Sequence, residues 1–343
     1  MPAATHFAAS SSTTMHDHPP HCTGPLHLTL QLVSSLVPVF MITLFPVALA
    51  WALIRWTFLR LPFVVYVAWY MFFDNAPVRG GNGRVSRRWR NVMYLPGHLL
   101  SYLGATLHRE AELDPAKGPY LLGIHPHGVL CYSGFLNIIT DVGGFPTLFP
   151  HIDRRVAVLS LVFQLPIVRE IALIHGLISV ERNSIRHWLS RGTDKAVGIV
   201  VGGAAESLES VPGCHRVVLR RRRGFFKLAL ENGASLVPVY SFGENQLWTQ
   251  IRHPLLCRLQ RRFLALTGFT IPICYGRWFT PIPYAHKLVT IVGAPIPVRR
   301  VAKPTEQDVV ALREVYMGKL REMFDRYKGE YAQHRIEELK FVA

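Results

Sequence analysis

Residues 120–128 read YLLGIHPHG, an apolar run followed at once by two histidines on either side of a proline. The run Tyr120–Ile124 is short, continuous and mostly aliphatic, which predicts a strand buried on both faces of a sheet. If strand geometry continues through His127, the rings of His125 and His127 stand about 7 Å apart on one face, because alternate residues share a side. A neutral imidazole there can act as a general base near pH 7. The alternative is a pair of structural histidines at a turn.

Two further aliphatic runs, 196–201 and 235–240, have the same character as the first. Helical patterns alternate with these runs. This alternation predicts an α/β fold in which a mixed sheet is flanked by helices.

Helices are predicted over 183–191, 224–232 and 305–328. Their end signals are Asn183 and Gly192 for the first, Gly233 for the second, and Thr305 with Asp308 as a near capping box for the third. The third helix has one apolar face, which we interpret as core packing, at Val309, Leu312, Tyr316, Leu320, Met323 and Tyr327.

The first 73 residues differ in composition from the rest of the chain. Residues 1–27 have too little apolar content to fold, which predicts a disordered tail. Residues 28–54 lack charged side chains and are long enough to cross about 30 Å of hydrocarbon, and 61–73 can form the return limb of a hairpin or a re-entrant segment. We therefore predict an N-terminal transmembrane helical hairpin over 28–73 and one catalytic domain over 74–343.

Three prolines, Pro38, Pro46 and Pro62, can supply bends in this hairpin. A single span through 28–54 is an alternative to the hairpin, and so is a signal peptide cleaved near Ala50.

Charge is distributed unevenly along the 343 residues. The formal net charge of +16 belongs to the part that follows Val78, because the four earlier charges cancel. This basic excess fits attraction to anionic lipid headgroups or to a polyanionic substrate. The sequence has no zinc-finger spacing, RNP-type aromatic motif or basic heptad region, so we predict no nucleic-acid partner.

Arginines and cysteines indicate the compartment. Arg79, Arg84, Arg87, Arg88 and Arg90 predict that the catalytic domain faces the cytosol, because basic residues near a membrane end are retained there. The five cysteines are widely spaced and include no C-x-x-C pair. They indicate a reducing compartment, without a disulfide or zinc framework.

A second segment that could take part in catalysis is 200–207, which reads VVGGAAES. Gly202 and Gly203 end an aliphatic run and allow the backbone to approach a ligand. Glu206 can orient an imidazole and stabilise its protonated form. The alternative is a surface glutamate at the start of a helix.

The third segment begins with four arginines, Arg220–Arg223, followed by Gly224 and Phe225 at the start of a predicted helix. Guanidinium groups and unpaired amides at a helix start both favour phosphate oxygens, so a coenzyme A phosphate fits here. A solvated charge run is the alternative, and a nuclear-localisation patch is a weaker third.

Together, the segments 125–128, 200–207 and 222–244 resemble the type-2 diacylglycerol acyltransferase family, which includes monoacylglycerol and wax-alcohol acyltransferases. Further agreement at 165–170 and 304–308 extends the resemblance over about 90–331. The combined pattern is highly specific, whereas HPHG alone would not be.

The resemblance implies an enzyme of the endoplasmic reticulum and lipid droplet that transfers a fatty acyl group from acyl-CoA to an alcohol. We predict that the alcohol is diacylglycerol and, from the hairpin, that the protein is a multi-pass membrane protein. Acyl-CoA is then a co-substrate, and no metal or other cofactor is required. The resemblance also implies that His125 and His127 are catalytic and that Arg222, Gly224 and Phe225 help to bind substrate. The acceptor alcohol, including monoacylglycerol and fatty alcohol, and assembly into homo-oligomers stay open.

The sequence departs from the pattern of related enzymes at two places. Residues 94–96 read YLP where many members have YFP. Related glycerolipid acyltransferases have an aspartate five residues after the histidine, but Leu130 and Tyr132 stand at those positions here. Glu206 is therefore our candidate for the acidic partner.

The mechanism that we predict is direct transfer. His125 or His127 removes the proton of a glyceride hydroxyl as the oxygen attacks the thioester, and Glu206 steadies the imidazolium. Backbone amides near Gly128 or residues 202–203 stabilise the oxyanion. The leaving thiolate needs little assistance, because ordinary thiols have pKa values near ~8.5.

Three alternatives compete with this mechanism. An acyl-enzyme route would use Cys131, because the sequence has no G-x-S-x-G elbow. A metal-dependent lipid hydrolase would use both histidines as ligands, although three protein ligands are usual. The third is a non-catalytic membrane protein that binds lipid.

Overall fold

The computed structural model of the protein describes residues 14–15, 25–86, 94–270 and 272–343. Most of the predicted tail, 1–27, lies outside these residues. So do Arg87, Arg88 and Arg90, on which the predicted topology partly depends.

The described residues form twelve strands. In chain order they are β1 (Thr14–Met15), β2 (Thr106–Arg109), β3 (Tyr120–His125), β4 (Asp153–Val158), β5 (Leu177–Ser179), β6 (Lys195–Val200), β7 (Arg216–Val218), β8 (Ser235–Phe242), β9 (Thr249–Gln250), β10 (Cys274–Tyr275), β11 (Val289–Val292) and β12 (Lys340–Val342). Eight of them form one sheet in the order β1-β2-β11-β8-β3-β6-β4-β5, and β9–β10 and β7–β12 form two small ladders.

The α-helices of the described residues are α1 (Pro25–Arg55), α2 (Arg60–Phe72), α3 (Tyr94–Tyr102), α4 (Phe145–Leu148), α5 (Val168–Ile174), α6 (Arg182–Leu189), α7 (Gly203–Ser207), α8 (Arg223–Asn232), α9 (Pro254–Thr267) and α10 (Glu306–Tyr331). A π-helix spans Gly134–Ile139. Short 3-10 turns lie at Thr57–Leu59, Ala76–Val78, Ser160–Gln164, Glu244–Gln246 and Arg277–Phe279.

The main sheet is mixed, and its centre is parallel. Strand β3 pairs in parallel with β6 on one side and with β8 on the other. Strand β11 runs antiparallel to β8, and β1 runs antiparallel to β2. The α/β fold and the three strands predicted from aliphatic runs are thus confirmed. Because β3, β6 and β8 are parallel neighbours, their carboxyl ends meet at one edge of the sheet.

Helices cover both faces of this sheet, as its continuous aliphatic strands require. On one face α6, α8 and α10 pack against side chains such as Leu121 and Val197. On the other, the π-helix and α4 pack against Leu122 and Ile124. Residues of β3 alternate between the two faces, so Gly123 and His125 share the face of Leu121.

The predicted helix ends are partly right. Gly233 ends α8 in the left-handed conformation, and Thr305 with Asp308 forms the capping box of α10, so both predictions are confirmed. The prediction for α6 is wrong at both ends: Glu181 is its N-cap instead of Asn183, and the helix ends at Leu189, before Gly192. Its termination needs no glycine, since Ser190 continues in a right-handed conformation.

The apolar segments 28–54 and 61–73 correspond to helices α1 and α2. Helix α1 continues through Pro38 and Pro46, and Pro62 lies in the first turn of α2. No single helix in the described part of the chain is long and apolar enough to span a membrane. Leu44–Arg55 and Thr57–Val78 together meet that length and composition, with a bend of 111° between them.

Candidate active site

The predicted catalytic residues lie at the carboxyl ends of β3 and β6. His125 is the last residue of β3, and the turn with His127 and Gly128 follows it. Glu206 lies on α7, directly after β6. Ligand sites of open α/β sheets occur at this edge, because loops after neighbouring strands converge there.

His125 is completely buried on the α10 side of the sheet. Its Nε2 lies 3.1 Å from the hydroxyl of Tyr316, which itself donates to the carbonyl of Gly123 at 3.2 Å. A hydroxyl that donates to a carbonyl accepts from the imidazole, so Nε2 carries the proton. Nδ1 has no hydrogen-bond partner among the described residues, and burial lowers the pKa of His125 to about 3. The ring is therefore neutral at physiological pH.

Tyr316 was interpreted from sequence as part of a core-packing stripe, and it does pack between Phe225 and Phe226. Its hydroxyl, however, reaches the strand end at His125. This contact depends on Gly123, where any Cβ would overlap the Tyr316 hydroxyl and approach Phe225 to 3.0 Å. No local sequence signal marks Tyr316, because its apolar neighbours have the same helical spacing.

His127 lies in the turn after β3 and is partly exposed. Its Nδ1 lies 3.0 Å from the carbonyl oxygen of Gly128. A carbonyl only accepts, so Nδ1 carries the proton, and the lone pair of Nε2 has no hydrogen-bond partner in the described part of the chain. Burial lowers the pKa of His127, although the Gly128 hydrogen bond opposes this change. Strand β3 ends at His125, so the condition for two rings on one strand face is not met.

Glu206 is buried against the backbone of the histidine turn. One carboxylate oxygen accepts from the amide of His127 at 2.7 Å, and the other accepts from the amide of Val218 at 2.6 Å. Burial raises its pKa to about 7. The carboxylate thus contacts the His127 backbone, whereas we predicted contact with an imidazole ring.

Glu244 is a second buried carboxylate that the sequence analysis did not select. It follows β8, and its two oxygens accept from the amides of Tyr132 at 2.9 Å and Ser133 at 2.8 Å. Gly128 has a φ of +58°, and a Cβ there would lie 2.5 Å from Glu244 Cγ. Glu206 and Glu244 therefore hold the two ends of the turn 127–133. The sequence signal that could have identified Glu244 is its position just after a buried strand.

Replacement of Glu244 by glutamine is expected to lower the free energy of unfolding by about 1–3 kcal/mol, because an amide NH2 would face a buried N–H of Tyr132 or Ser133. Denaturant unfolding measures the change. The matched control is Glu112→Gln, since the Glu112 side chain is 81% exposed. We expect a change within ~0.5 kcal/mol for this control. Equal losses in the two variants would contradict the role of Glu244.

The four arginines at the start of α8 mostly have protein partners. Arg222 donates to the carbonyl of Gly202. Arg220 donates to the carbonyl of Phe341 at 3.0 Å, and Arg223 lies 3.1 Å from Glu306. Arg222 thereby joins the α8 segment to the glycine turn before Glu206, and its charge opposes the rise in the Glu206 pKa.

The remaining substrate-binding candidates lie close to this centre. Gly203 has a φ of +55°, and a Cβ at Gly202 would overlap the Glu206 carboxylate. Gly224 lies in the first turn of α8, where a Cβ would meet open space. Phe225 is buried, with its ring 5.6 Å from that of Tyr316.

Neither of two competing chemistries gains support from the geometry. Burial and the nearby Glu244 raise the pKa of the Cys131 thiol, which opposes formation of the thiolate that an acyl-enzyme route needs. Among the described residues, no group of three His, Cys, Asp or Glu side chains could hold a metal ion.

A free ring nitrogen at a strand end suits an enzyme that takes a proton from a hydroxyl group or from water. The fold and this site thus define an α/β enzyme of group transfer or hydrolysis. Comparison with known proteins narrows the class: the profile of the diacylglycerol acyltransferase family matches residues 52–342. The chain belongs to this family.

Individual relatives have names that refer to three different acyl acceptors. Diacylglycerol O-acyltransferase 2B of Umbelopsis ramanniana is 36% identical over 90% of this chain and 89% of its own length. 2-acylglycerol O-acyltransferase 1 of Bos taurus is 37% identical over 83% and 85%. Acyl-CoA wax alcohol acyltransferase 1 of Homo sapiens is 35% identical over 81% and 86%. Among solved structures, the acyltransferase PlsC of Thermotoga maritima matches with a TM-score of 0.43, 12% identity, and coverage of 89% of this chain and 98% of PlsC.

Proposed function

We propose that the protein transfers a fatty acyl group from acyl-CoA to diacylglycerol and forms triacylglycerol. The observation that carries this proposal is the partly exposed His127, whose free Nε2 lies at a strand end in a chain that matches the family over 52–342. The 36% identity to a diacylglycerol O-acyltransferase along nearly the whole chain supports this acceptor. Monoacylglycerol and long-chain alcohol are the alternatives, because relatives with those names are equally similar.

In the proposed reaction, His127 Nε2 accepts the proton of the acceptor hydroxyl while the hydroxyl oxygen attacks the thioester carbonyl. The C–S bond then breaks and coenzyme A leaves as a thiolate, which takes up the proton. The Gly128 carbonyl holds the opposite ring nitrogen and thereby keeps the reactive tautomer. Glu206 positions His127 through its backbone amide.

We further propose that α1 and α2 anchor the protein in the endoplasmic reticulum membrane, with the catalytic domain in the cytosol and access to lipid droplets. Exposed apolar side chains on α2, among them Leu61, Val64 and Phe72, support an apolar surrounding. A hairpin with a 111° bend would return the chain to the side on which it entered.

Purified full-length protein with labelled oleoyl-CoA and diacylglycerol is expected to form labelled triacylglycerol, with monoacylglycerol and a long-chain alcohol tested in parallel. A chelator is expected to leave the rate unchanged, because the proposed steps use the protein's own imidazole. Thin-layer chromatography of the labelled lipid measures the product. Transfer to none of the three acceptors would refute the proposal, and chelator-sensitive release of fatty acid would indicate a hydrolase.

A further inference from the structure

Helix α9 belongs to a segment outside the main sheet, residues 249–275, which we call the excursion. It connects β9 to β10, which pair antiparallel through Thr249 with Tyr275 and Gln250 with Cys274. None of the residues of α9, all of which the structure describes, is buried. Every residue of the helix is therefore at least partly exposed.

Four large apolar side chains form a stripe along α9, at intervals of four, four and three residues, which places them on one helix face. They are Leu255, Leu259, Phe263 and Leu266, with exposed fractions of 57%, 53%, 49% and 86%. We call them the α9 stripe. The stripe runs from the first to the fourth turn of the helix. Single exposed apolar residues are normal on a protein surface, whereas a continuous row of four indicates an interaction site.

Arginines border the α9 stripe. Arg258 and Arg262 follow Leu255 and Leu259 by three residues, so each lies beside the stripe, and both are exposed. The Arg261 side chain lies on another side of the helix, where its Nη2 is 3.6 Å from Glu209 Oε1. The helix contains no acidic residue. An apolar face with flanking arginines is typical of helices that lie in the headgroup region of an anionic bilayer.

The excursion is joined to the candidate active site. Gln250 donates to the carbonyl of Ser207 at 2.6 Å, and Arg252 donates to the carbonyl of Leu208 at 3.1 Å. These carbonyls lie at the end of α7, the helix that carries Glu206. A surface that binds α9 therefore also lies near the histidine turn.

We propose that α9 is a second membrane-contact element, which lies on the surface of an anionic bilayer with its stripe among the acyl chains. Arg258 and Arg262 contact the phosphate and carboxylate groups of the lipids. A second copy of the chain fits less well, because a symmetric contact would bring arginines of like charge together without acidic partners on the helix. The proposal concerns attachment and does not depend on the acyl acceptor.

Amide hydrogen exchange of the full-length protein tests this proposal, because it reports on α9 while α1 and α2 remain attached. The protein is reconstituted into vesicles of phosphatidylcholine alone or with about one-third phosphatidylserine. We expect exchange over 254–267 to be about tenfold slower in the anionic vesicles, since two nearby arginines strengthen attachment severalfold each. Exchange over 306–331, in α10, should be the same in both vesicles.

The double variant Arg258→Glu/Arg262→Glu is expected to lose this difference while its melting temperature stays unchanged, because both side chains are exposed. The matched control is Arg299→Glu/Lys303→Glu, which changes the charge equally at exposed positions outside α9. Equal exchange in both vesicles, or a difference that survives in Arg258→Glu/Arg262→Glu, would overturn the proposal. If exchange over 254–267 becomes slower as the protein concentration rises in detergent without vesicles, then the α9 stripe binds a second copy of the chain, and the proposal is wrong.

Discussion

Replacement of His127 by glutamine is expected to lower kcat for acyl transfer by at least ~100-fold, the lower range for loss of a general base. The side chain is partly exposed, and among the described residues its ring bonds only the adjacent Gly128 carbonyl, so folding should change little. Assays at saturating oleoyl-CoA and diacylglycerol measure kcat, and thermal unfolding in detergent checks stability. In the unchanged protein, the loss of rate that protonation of His127 causes should occur at a lower pH than the ordinary pKa of an imidazole predicts, because burial lowers the pKa of His127.

The matched variant is His125→Gln. His125 is fully buried and contacts Tyr316, so its replacement should lower the free energy of unfolding as well as the rate. Full activity of His127→Gln would refute the proposed mechanism. Loss of activity in His125→Gln alone, with stability intact, would assign the base to the buried Nδ1 of His125.

The strands that carry the site were predictable because their sequence pattern is local. Each aliphatic run, such as Tyr120–Ile124, contains its own signal for a strand buried on both faces. The segments after β3 and β6 could then be placed at one sheet edge, and the structure brings His127 and Glu206 together there. The interior of the sheet thus follows from hydrophobic patterning.

The contacts that shape the site were not predictable, because they join distant parts of the chain. Tyr316 and His125 are 191 residues apart, and Glu244 and Tyr132 are 112 residues apart. Nothing near Tyr316 distinguishes its hydroxyl from the apolar side chains of the same stripe. Which group a buried carboxylate contacts also depends on loop paths, and so Glu206 binds amides instead of a ring.

Replacement of Arg169 by methionine is expected to lower the free energy of unfolding by about 3 kcal/mol or more, the range for breaking a buried ion pair. The Arg169 side chain is 1% exposed and binds Asp74, whose side chain is 5% exposed, as well as Glu170. Arg84 lies 3.0 Å from Asp74 and 2.9 Å from Glu170. Without Arg169, Asp74 therefore keeps one cationic partner, which places the loss at the lower end of the range.

This ion cluster joins α2 to the catalytic part of the protein. Tyr66 and Tyr70 of α2 contact the same region, through Glu170 at 3.1 Å and the carbonyl of Gln164 at 3.0 Å. Loss of Arg169 should therefore also free α2, which limited proteolysis between Phe72 and Ala76 would detect.

The matched control is Arg335→Met, because the partner of Arg335, Glu338, is 54% exposed and such surface pairs contribute about 0–1 kcal/mol. In the double variant Asp74→Leu/Arg169→Met part of the stability should return, because the buried Asp74 carboxylate, which would keep only Arg84 as a cationic partner, is then absent. If the double variant is less stable than Arg169→Met, then Asp74 stabilises the protein mainly through Arg84 and the Ala76 amide, and the Asp74–Arg169 pair does not carry the effect.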